Sequence, residues 1–514
     1  MKNVQTLAQM TPTKGWRIVG VLFMALALVF GSCSPENLPP SVIPPDNPPG
    51  DGDVDPGEVY EAGYTVSLGT ATTMQVSEKI MGFNLIYPHE ADAIWADGKL
   101  ASYIKDINPA FLRWPGGTVA SYYHWNSLTG GASKAWADSW DPANPITPEN
   151  KSTFMDLDEY MALVRYTGAT PLVGINMSSG RRWNRQQDGL DEAIALMQYC
   201  KDKDFPVTYW YLDNEPYEPG SNGGEKTPAE YAALINAYAP VMKAFDPNIK
   251  IVVNWRQAFR NNRTQYNTLM PAAGANIDVI DVHYYWNHSN ASWENWLAKT
   301  PLTSWNGDTY YEEIAYFRQM IQDFGFPNIK LASLEWNTGG VGNVGSARFT
   351  PDGIALAQAE MLMQFIRGGL DYGAFWPLHW PDQSNSKLRS MYNEVTKSPH
   401  PNYRLFKFFG AMQGGAVLNS PITKPSTAMV TLAVRSTDGK TVWVCVLNKH
   451  TGDMVTDIAL DNFPDMKFKE GQIYTVNSNG SGGTFANVTS LNPGNKPVVK
   501  FLSKSFSLTM LTLE

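Results

Sequence analysis

The chain has 514 residues, 43% of them hydrophobic, and a formal charge of −9. That length suits a barrel-sized domain with one appended module rather than a single small domain. The acidic balance argues against nucleic acid as a partner, because phosphate binding needs a net basic face.

Lys14 and Arg17 precede an apolar stretch, Ile18 to Phe30, too short for a comfortable membrane span. It ends in Phe30-Gly31-Ser32-Cys33, and small residues directly before a cysteine resemble the bacterial lipobox. Residues 1–33 are therefore expected to be an export signal whose Cys33 is lipidated. The body would be exported to the outer membrane, cell surface or periplasm, touching a membrane only through that anchor. Residues 34–58 read as a linker, with Pro-Pro at 39–40, 44–45 and 48–49 and then Gly-Asp-Gly-Asp at 50–53. Proline favours extended polyproline II, so a semi-rigid stalk is expected.

Residues 81–414 alternate strand-like runs with amphipathic helical runs. Strands are expected at 81–86, 110–116, 170–177, 207–215, 249–255, 277–285, 329–335 and 372–379. Helices are expected at 91–107, 153–168, 190–203, 227–246, 259–273, 310–325, 351–368 and 401–413. Ala229 to Phe245 carries the 3.6-residue apolar period, and Thr227-Pro-Ala-Glu230 before it reads as a capping box. This alternation predicts an α/β fold, a (β/α)8 TIM barrel. An open doubly wound sheet would put a glycine-rich phosphate turn after its first strand, and Phe83-Asn84-Leu85-Ile86-Tyr87 is not one. From 415 to 514, alternating runs such as 429–435 and 441–447 predict a C-terminal antiparallel β-sandwich. The segment 59–80 holds a strand-like stretch, Tyr64 to Gln75, expected to join that sandwich. Cys200 and Cys445 fall in different modules and are expected as buried free thiols. No Cys/His cluster has zinc-site spacing, so neither metal nor cofactor is expected.

Glu215 closes the run Val207 to Glu215, and Glu335 closes Ile329 to Glu335. In a barrel of this type all strand C-termini lie on one face, where the chemistry happens. Two carboxylates there are the minimum apparatus for cleaving a glycosidic bond, about 5 Å apart if the anomeric configuration is retained. Either glutamate alone could be a structural ion-pair partner. Together, in Asn214-Glu215-Pro216 and Glu335-Trp336-Asn337 contexts, they carry much more weight. Asn214 would be placed to hydrogen-bond a sugar hydroxyl.

Four motifs fall in order on these strands: Leu112-Arg113-Trp114-Pro115-Gly116-Gly117, Asn214-Glu215, His283-Tyr284-Tyr285 and Glu335-Trp336-Asn337. They resemble glycoside hydrolase clan A, with a particular likeness to the α-L-arabinofuranosidase family and echoes of the agarase/porphyranase-like and heparanase-like branches. The resemblance implies that Glu215 is the general acid/base and Glu335 the nucleophile. It implies that Arg113 and Tyr285 contact the nucleophile and that His283 lines the donor-sugar site. A cation and a phenol both favour a charged carboxylate, in agreement. The chain departs from the arabinofuranosidases at Thr118, where they carry Asn, and after strand one, where they carry a sugar-binding Glu that Gly82-Phe83-Asn84-Leu85 lacks. Both departures touch specificity, not the glutamate pair.

Aromatics crowd the predicted loop face: Trp114, Tyr122, Tyr123, His124, Trp125, Trp183, Trp255, Trp286, Trp336, Trp376 and Trp380. About half would be core, and the rest would stack on sugar rings. Trp336, Trp376 and His379 are candidate substrate contacts. Arg181, Arg182 and Arg185, then Arg256, Arg260 and Arg263, follow strands three and five and suggest either an anionic glycan or ordinary salt bridging. Arg181 and Arg182 are taken as candidate substrate contacts. The expected function is a retaining hydrolase of a plant or algal polysaccharide, endo-acting on a galactan-type chain such as agar or porphyran. An exo-acting α-L-arabinofuranosidase is the alternative, and a non-catalytic surface glycan-binding lipoprotein is the alternative of another class. A polysaccharide lyase would want a Tyr/His or Lys base at a uronate, and the chain offers no such set ahead of the glutamates.

Overall fold

The computed structural model describes residues 63–126, 137–143, 153–219, 222, 224–256, 263–287, 291–304, 306–339, 349–381, 388–422, 428–491 and 498–514. The expected export signal with Cys33, the stalk at 34–58, residues 59–62 and Arg260 lie outside that range.

Two short strands come first, β1 (Tyr64–Ser67) and β2 (Ala71–Gln75). The barrel follows as β3 (Gly82–Asn84), β4 (Phe111–Trp114), β5 (Thr170–Ile175), β6 (Tyr209–Leu212), β7 (Lys250–Asn254), β8 (Val279–Asp281) with its continuation β9 (Tyr284–Trp286), β10 (Lys330–Thr338) and β11 (Tyr372–Phe375). Each pairs in parallel with the next, and β11 pairs with both β10 and β3, which closes the ring. The helices of its outer layer include α1 (Asp92–Trp95), α2 (Lys99–Ile107), α3 (Leu157–Thr167), α4 (Ser178–Arg182), α5 (Gln186–Asp202), α6 (Pro228–Phe245), α7 (Arg263–Ala273), α8 (Trp293–Leu297), α9 (Tyr310–Asp323), α10 (Pro351–Gly368) and α11 (Asn402–Gly410). The Thr227 hydroxyl accepts from Glu230 N–H and the Glu230 carboxylate accepts in return, so α6 starts on the capping box its sequence spells.

Side chains alternate along the barrel strands. Phe111, Leu172, Tyr211, Val252, Val279, Ala332 and Leu334 fill the interior, while Leu112, Trp114, Trp210 and Leu212 pack outward under the helices. Gly82 leaves room for Phe111, whose ring would come within 2.4 Å of an added Cβ. One irregularity matters for the site. On β10, Ala332 faces Asp281 and Trp336 faces Tyr284, so three β10 residues oppose two on the partner strand. The same shift appears against β11. This is a β-bulge at Ser333–Glu335, and it also explains why the expected strand 277–285 divides into β8 and β9.

After the barrel, β14 (Ala416–Leu418), β15 (Met429–Arg435), β16 (Val442–Asn448), β18 (Phe468–Thr475), β19 (Thr484–Asn487) and β21 (Ser507–Leu513) form one antiparallel sheet with β2 at its edge. A second sheet holds β1, β17 (Met454–Ala459) and β20 (Val498–Ser503), and its β1–β17 pair is parallel. Two hairpin strands, β12 (Tyr392–Asn393) and β13 (Ser398–Pro399), lie between barrel and sandwich in sequence. Val442, Val444 and Val446 face the second sheet, while Cys445 and Leu447 face the barrel. β16 is therefore buried on both sides, with period 2.

Candidate active site

Asn84, Arg113, Glu215, Asn254, His283, Tyr285 and Glu335 sit in or just past the ends of the strands on one face of the barrel. Glu335 follows the bulge. Without the extra residue the alternation would turn Trp336 inward, in step with Ala332 and Leu334; the bulge instead turns Glu335 inward and Trp336 outward. Two side chains hold that bulge: Leu334 N–H donates to Asp281 Oδ1 at 2.6 Å, and Leu334 C=O accepts from Asn84 Nδ2 at 2.7 Å.

Glu335 is met by Arg113 Nη1 at 2.9 Å on one oxygen and by the Tyr285 hydroxyl at 2.8 Å on the other. Arg113 is itself fully buried. It donates to Asn84 Oδ1 at 2.8 Å and to Asn214 Oδ1 at 2.5 Å, and it lies over the Tyr211 ring. Arg389 sits 5.4 Å from the Tyr285 ring centroid and donates to Thr338 O at 2.6 Å.

Glu215 sits on a backbone with φ +41, two residues after Asp213 at φ +61. These left-handed values are costly for side-chain-bearing residues and persist only where the surroundings enforce them. The Asp213 carboxylate accepts from Met177 N, Ser178 N and Ser178 Oγ, with Lys226 at 3.8 Å. Glu215 N–H donates to Asn254 Oδ1 at 2.8 Å. Its Oε1 faces His283 Nδ1 at 2.8 Å and the Tyr217 hydroxyl at 3.4 Å.

His283 joins the two glutamates. Its Nδ1 is 2.8 Å from Glu215 and 3.5 Å from Glu335, and its Nε2 is 3.1 Å from Asp281. Burial opposes a charge on this ring. The charges of Glu335 and Asp281 and the hydrogen bonds to Asp281 and Glu215 outweigh it and raise the imidazole to about 10. Burial likewise pushes the Glu215 carboxyl up. The hydrogen bond and charge of His283, with Arg113 and Tyr217, pull it net below the ordinary carboxylate value. Both directions favour a proton on the imidazole, next to Glu215 Oε1.

One ligand atom each from Glu215, His283 and Glu335 lies within 4.8 Å of the others. An approach that close accords with a double-displacement pair, whose carboxyl groups stand about 5 Å apart. The same three groups could hold a metal ion, although the Arg113 charge beside Glu335 opposes a second cation there.

The structure thus brings Arg113, Asn214, Glu215, His283, Tyr285 and Glu335 together. It leaves other expected contacts outside. Trp336 is 1% exposed and packs on Phe365, Phe375 and Phe406 in the helix layer, because the bulge turned it outward. His379 is also 1% exposed, with Glu90 at 2.7 Å and Glu394 at 2.5 Å on its two nitrogens. Arg181 pairs with Glu230 at 2.8 Å, and Arg182 donates to Asn222 at 2.5 Å. Arg185 pairs with Asp188, Arg256 with Glu225 and Arg263 with Asp323, so the described arginines of the two basic loops have protein partners. Of the aromatics, Trp114, Tyr123, His124, Trp255 and Trp286 are buried with Trp336, while Tyr122, Trp125, Trp183, Trp376 and Trp380 keep partial exposure. Trp376 lies on the Pro115-Gly116-Gly117 turn, where an added Cβ at Gly117 would come within 2.5 Å of its ring. Asn84, Asn254, Asp281, Tyr217 and Arg389 escaped the sequence reading. Asp281 stands two residues before His283, the one local signal that could have marked it.

A barrel with its glutamates at the ends of β6 and β10 has the fold of the clan A glycoside hydrolases, and the chain resembles their α-L-arabinofuranosidases. A model of the alpha-L-arabinofuranosidase 1 domain matches residues 103–301. A probable alpha-L-arabinofuranosidase C of Aspergillus clavatus is 24% identical over 52% of this chain and 56% of its own length. An intracellular exo-alpha-L-arabinofuranosidase of Bacteroides ovatus is 28% identical over 40% of each chain. The match to the Aspergillus fumigatus homologue spans 37% of that protein. Among solved structures, an alpha-L-arabinofuranosidase from Thermotoga maritima superposes with a TM-score of 0.66 at 18% identity, covering 88% of this chain and 99% of that one. A family 51 alpha-L-arabinofuranosidase from Bifidobacterium longum gives 0.67 at 14%, covering 88% and 100%. A bifunctional glucanase-xylanase from a metagenome library gives 0.59 at 17%, covering 88% and 99%.

Proposed function

We propose that the chain is a retaining glycoside hydrolase that removes terminal α-L-arabinofuranosyl units. One observation carries the chemistry: Glu215, His283 and Glu335 offer ligand atoms within 4.8 Å of one another at the barrel mouth. Glu335, charged and held on both oxygens, attacks the anomeric carbon. Glu215 protonates the departing oxygen and then deprotonates the water that releases the sugar. Asn214 and His283 line the donor-sugar site. The repeated likeness to arabinofuranosidases supports the choice of sugar.

The endo-galactanase reading keeps one observation in its favour, Thr118 in place of the Asn expected after Pro-Gly-Gly. It loses the free arginines and half the aromatic platform it would use. An aryl α-L-arabinofuranoside, arabinan, agar and porphyran, incubated with the full chain, separate the two. Release of arabinose with retained configuration, followed by proton NMR, supports the exo reading. Long oligosaccharides from agar or porphyran, with no arabinose, would replace it. We further propose that the body is exported and anchored through Cys33. Cys33→Ser should move it from the membrane to the soluble fraction.

A further inference from the structure

We propose that Asp281 is a positioning residue that ties the two candidate catalytic glutamates into one unit and fixes His283 as the proton store of the acid/base. The inference rests on the retaining-hydrolase reading. Asp281 is fully buried and touches neither glutamate, yet each is one step away. Its Oδ1 accepts Leu334 N–H at 2.6 Å and so pins the bulge that aims Glu335. Its Oδ2 accepts from Asn254 Nδ2 at 2.7 Å, and the Oδ1 of that same amide accepts Glu215 N–H at 2.8 Å. The same Oδ2 faces His283 Nε2 at 3.1 Å, while His283 Nδ1 faces Glu215 Oε1 at 2.8 Å. Backbone of one glutamate, bulge of the other and the ring between them all converge on one carboxylate.

The ring's protonation follows from this geometry. A carboxylate accepting on both oxygens offers only lone pairs to Nε2, so Nε2 keeps its proton. The mobile proton is then the one between Nδ1 and Glu215 Oε1. The other groups facing this ring are Glu335 from β10 at 3.5 Å, Arg113 from β4 and Tyr285 from β9, both on Glu335, and Tyr217, on Glu215. Arg389 lies behind Tyr285. The carboxylates among them favour a charged imidazole, and Arg113 opposes it. In the first step the Nδ1 proton passes to Glu215 Oε1 and on to the departing oxygen as the glycosidic bond breaks and Glu335 bonds the anomeric carbon. In the second step water gives a proton back through Glu215 to Nδ1. The water oxygen bonds the anomeric carbon, and the electron pair of the broken ester returns to Glu335. Proton and electrons balance over the cycle.

The test uses pH profiles of the full chain on an aryl glycoside that it turns over. Asp281→Asn keeps the shape and removes the charge. It should lower kcat/KM and move its basic limb to lower pH by about one unit or more, with KM little changed. Asn254→Ser should lower kcat and leave that limb in place. An unmoved basic limb in folded Asp281→Asn overturns the proposal. Should that variant not fold, histidine-selective nitrogen NMR of the wild type decides. Nε2 must stay protonated while Nδ1 titrates, and a neutral Nδ1–H tautomer overturns the proposal. Wild-type inactivity on every glycoside would instead defeat the functional reading, and the NMR result would still stand on its own.

Discussion

Glu335 and Glu215 hold different environments, and the difference matches the roles proposed for them. Glu335 accepts from a guanidinium and a phenol, which leaves both its oxygens in strong bonds to donors. Glu215 shares a hydrogen bond with a ring that carries a transferable proton. Glu335→Gln should therefore abolish turnover while oligosaccharide binding, read by calorimetry, survives. Glu215→Ala should lower kcat by roughly 10²–10⁴ on substrates with poor leaving groups. With a good leaving group, azide should restore part of the rate, and glycosyl azide should be detectable. Arg181 and Arg182 are bonded to Glu230 and Asn222, so replacing both with Ala should change rates on sulfated and neutral glycans by the same factor. A selective loss on sulfated chains would restore the anionic-substrate reading. Single residues were legible in the sequence where the signal was local: the glutamates stood at strand ends, and Arg113, His283 and Tyr285 stood in recognisable motifs. Asn84, Asn254 and Asp281 were not legible, because nearly all their partners come from other strands.

The element that decides the site is β10. A regular strand would carry Glu335 into the helix layer and Trp336 into the barrel mouth. One extra residue reverses that, and no composition signal in Ser333-Leu334-Glu335 announces it. The strand itself was expected within a few residues of where it lies, and so were the helices around it. The expected sugar contact at Trp336 failed because side-chain alternation in the sequence says nothing of a bulge. Asn84 and Asp281 take the bulge's C=O and N–H, and Asn84 also holds Arg113. Asn84→Ala leaves the buried Leu334 carbonyl and one Arg113 donor without this partner. The expected cost is about 1–3 kcal/mol of stability. The fall in kcat should exceed any rise in KM, because Glu335 loses its aim before the sugar site loses its shape. Chemical denaturation and steady-state kinetics on the same variant check both halves; full activity with lowered stability would separate the bulge from catalysis.

At the scale of the whole molecule, one device recurs on the barrel face: a buried histidine held between two carboxylates. His283 lies between Glu215 and Asp281, His124 between Glu192 and Asp138, and His379 between Glu90 and Glu394. His124 ties Asp138 to Glu192 on α5, and His379 ties Glu394 to Glu90, so His379 braces the loops where a substrate contact was expected of it. Burial disfavours charge on each ring, but the paired carboxylates win and raise His124 to about 9 and His379 to about 10. The sign of the linkage is fixed by the raised values. Their stabilising contribution is complete below the unfolded histidine value of about 6.5 and is lost as pH rises through the folded values. Thermal stability should therefore decline steadily from near neutrality to pH 10, well before lysine titration is complete. The sandwich should fall with the barrel, since Lys449 is buried against Glu360 at 2.6 Å and Trp293 donates to Ser478 O at 2.6 Å. Glu394→Gln keeps a hydrogen-bond acceptor for His379 and removes one of its two charges. The decline in Tm should then be smaller in total and end at lower pH than in the parent, with the two curves offset near neutrality and converging at the alkaline end where His379 is neutral in both. Parallel curves, offset equally at every pH, would mean that the Glu394 charge does not act through the histidine.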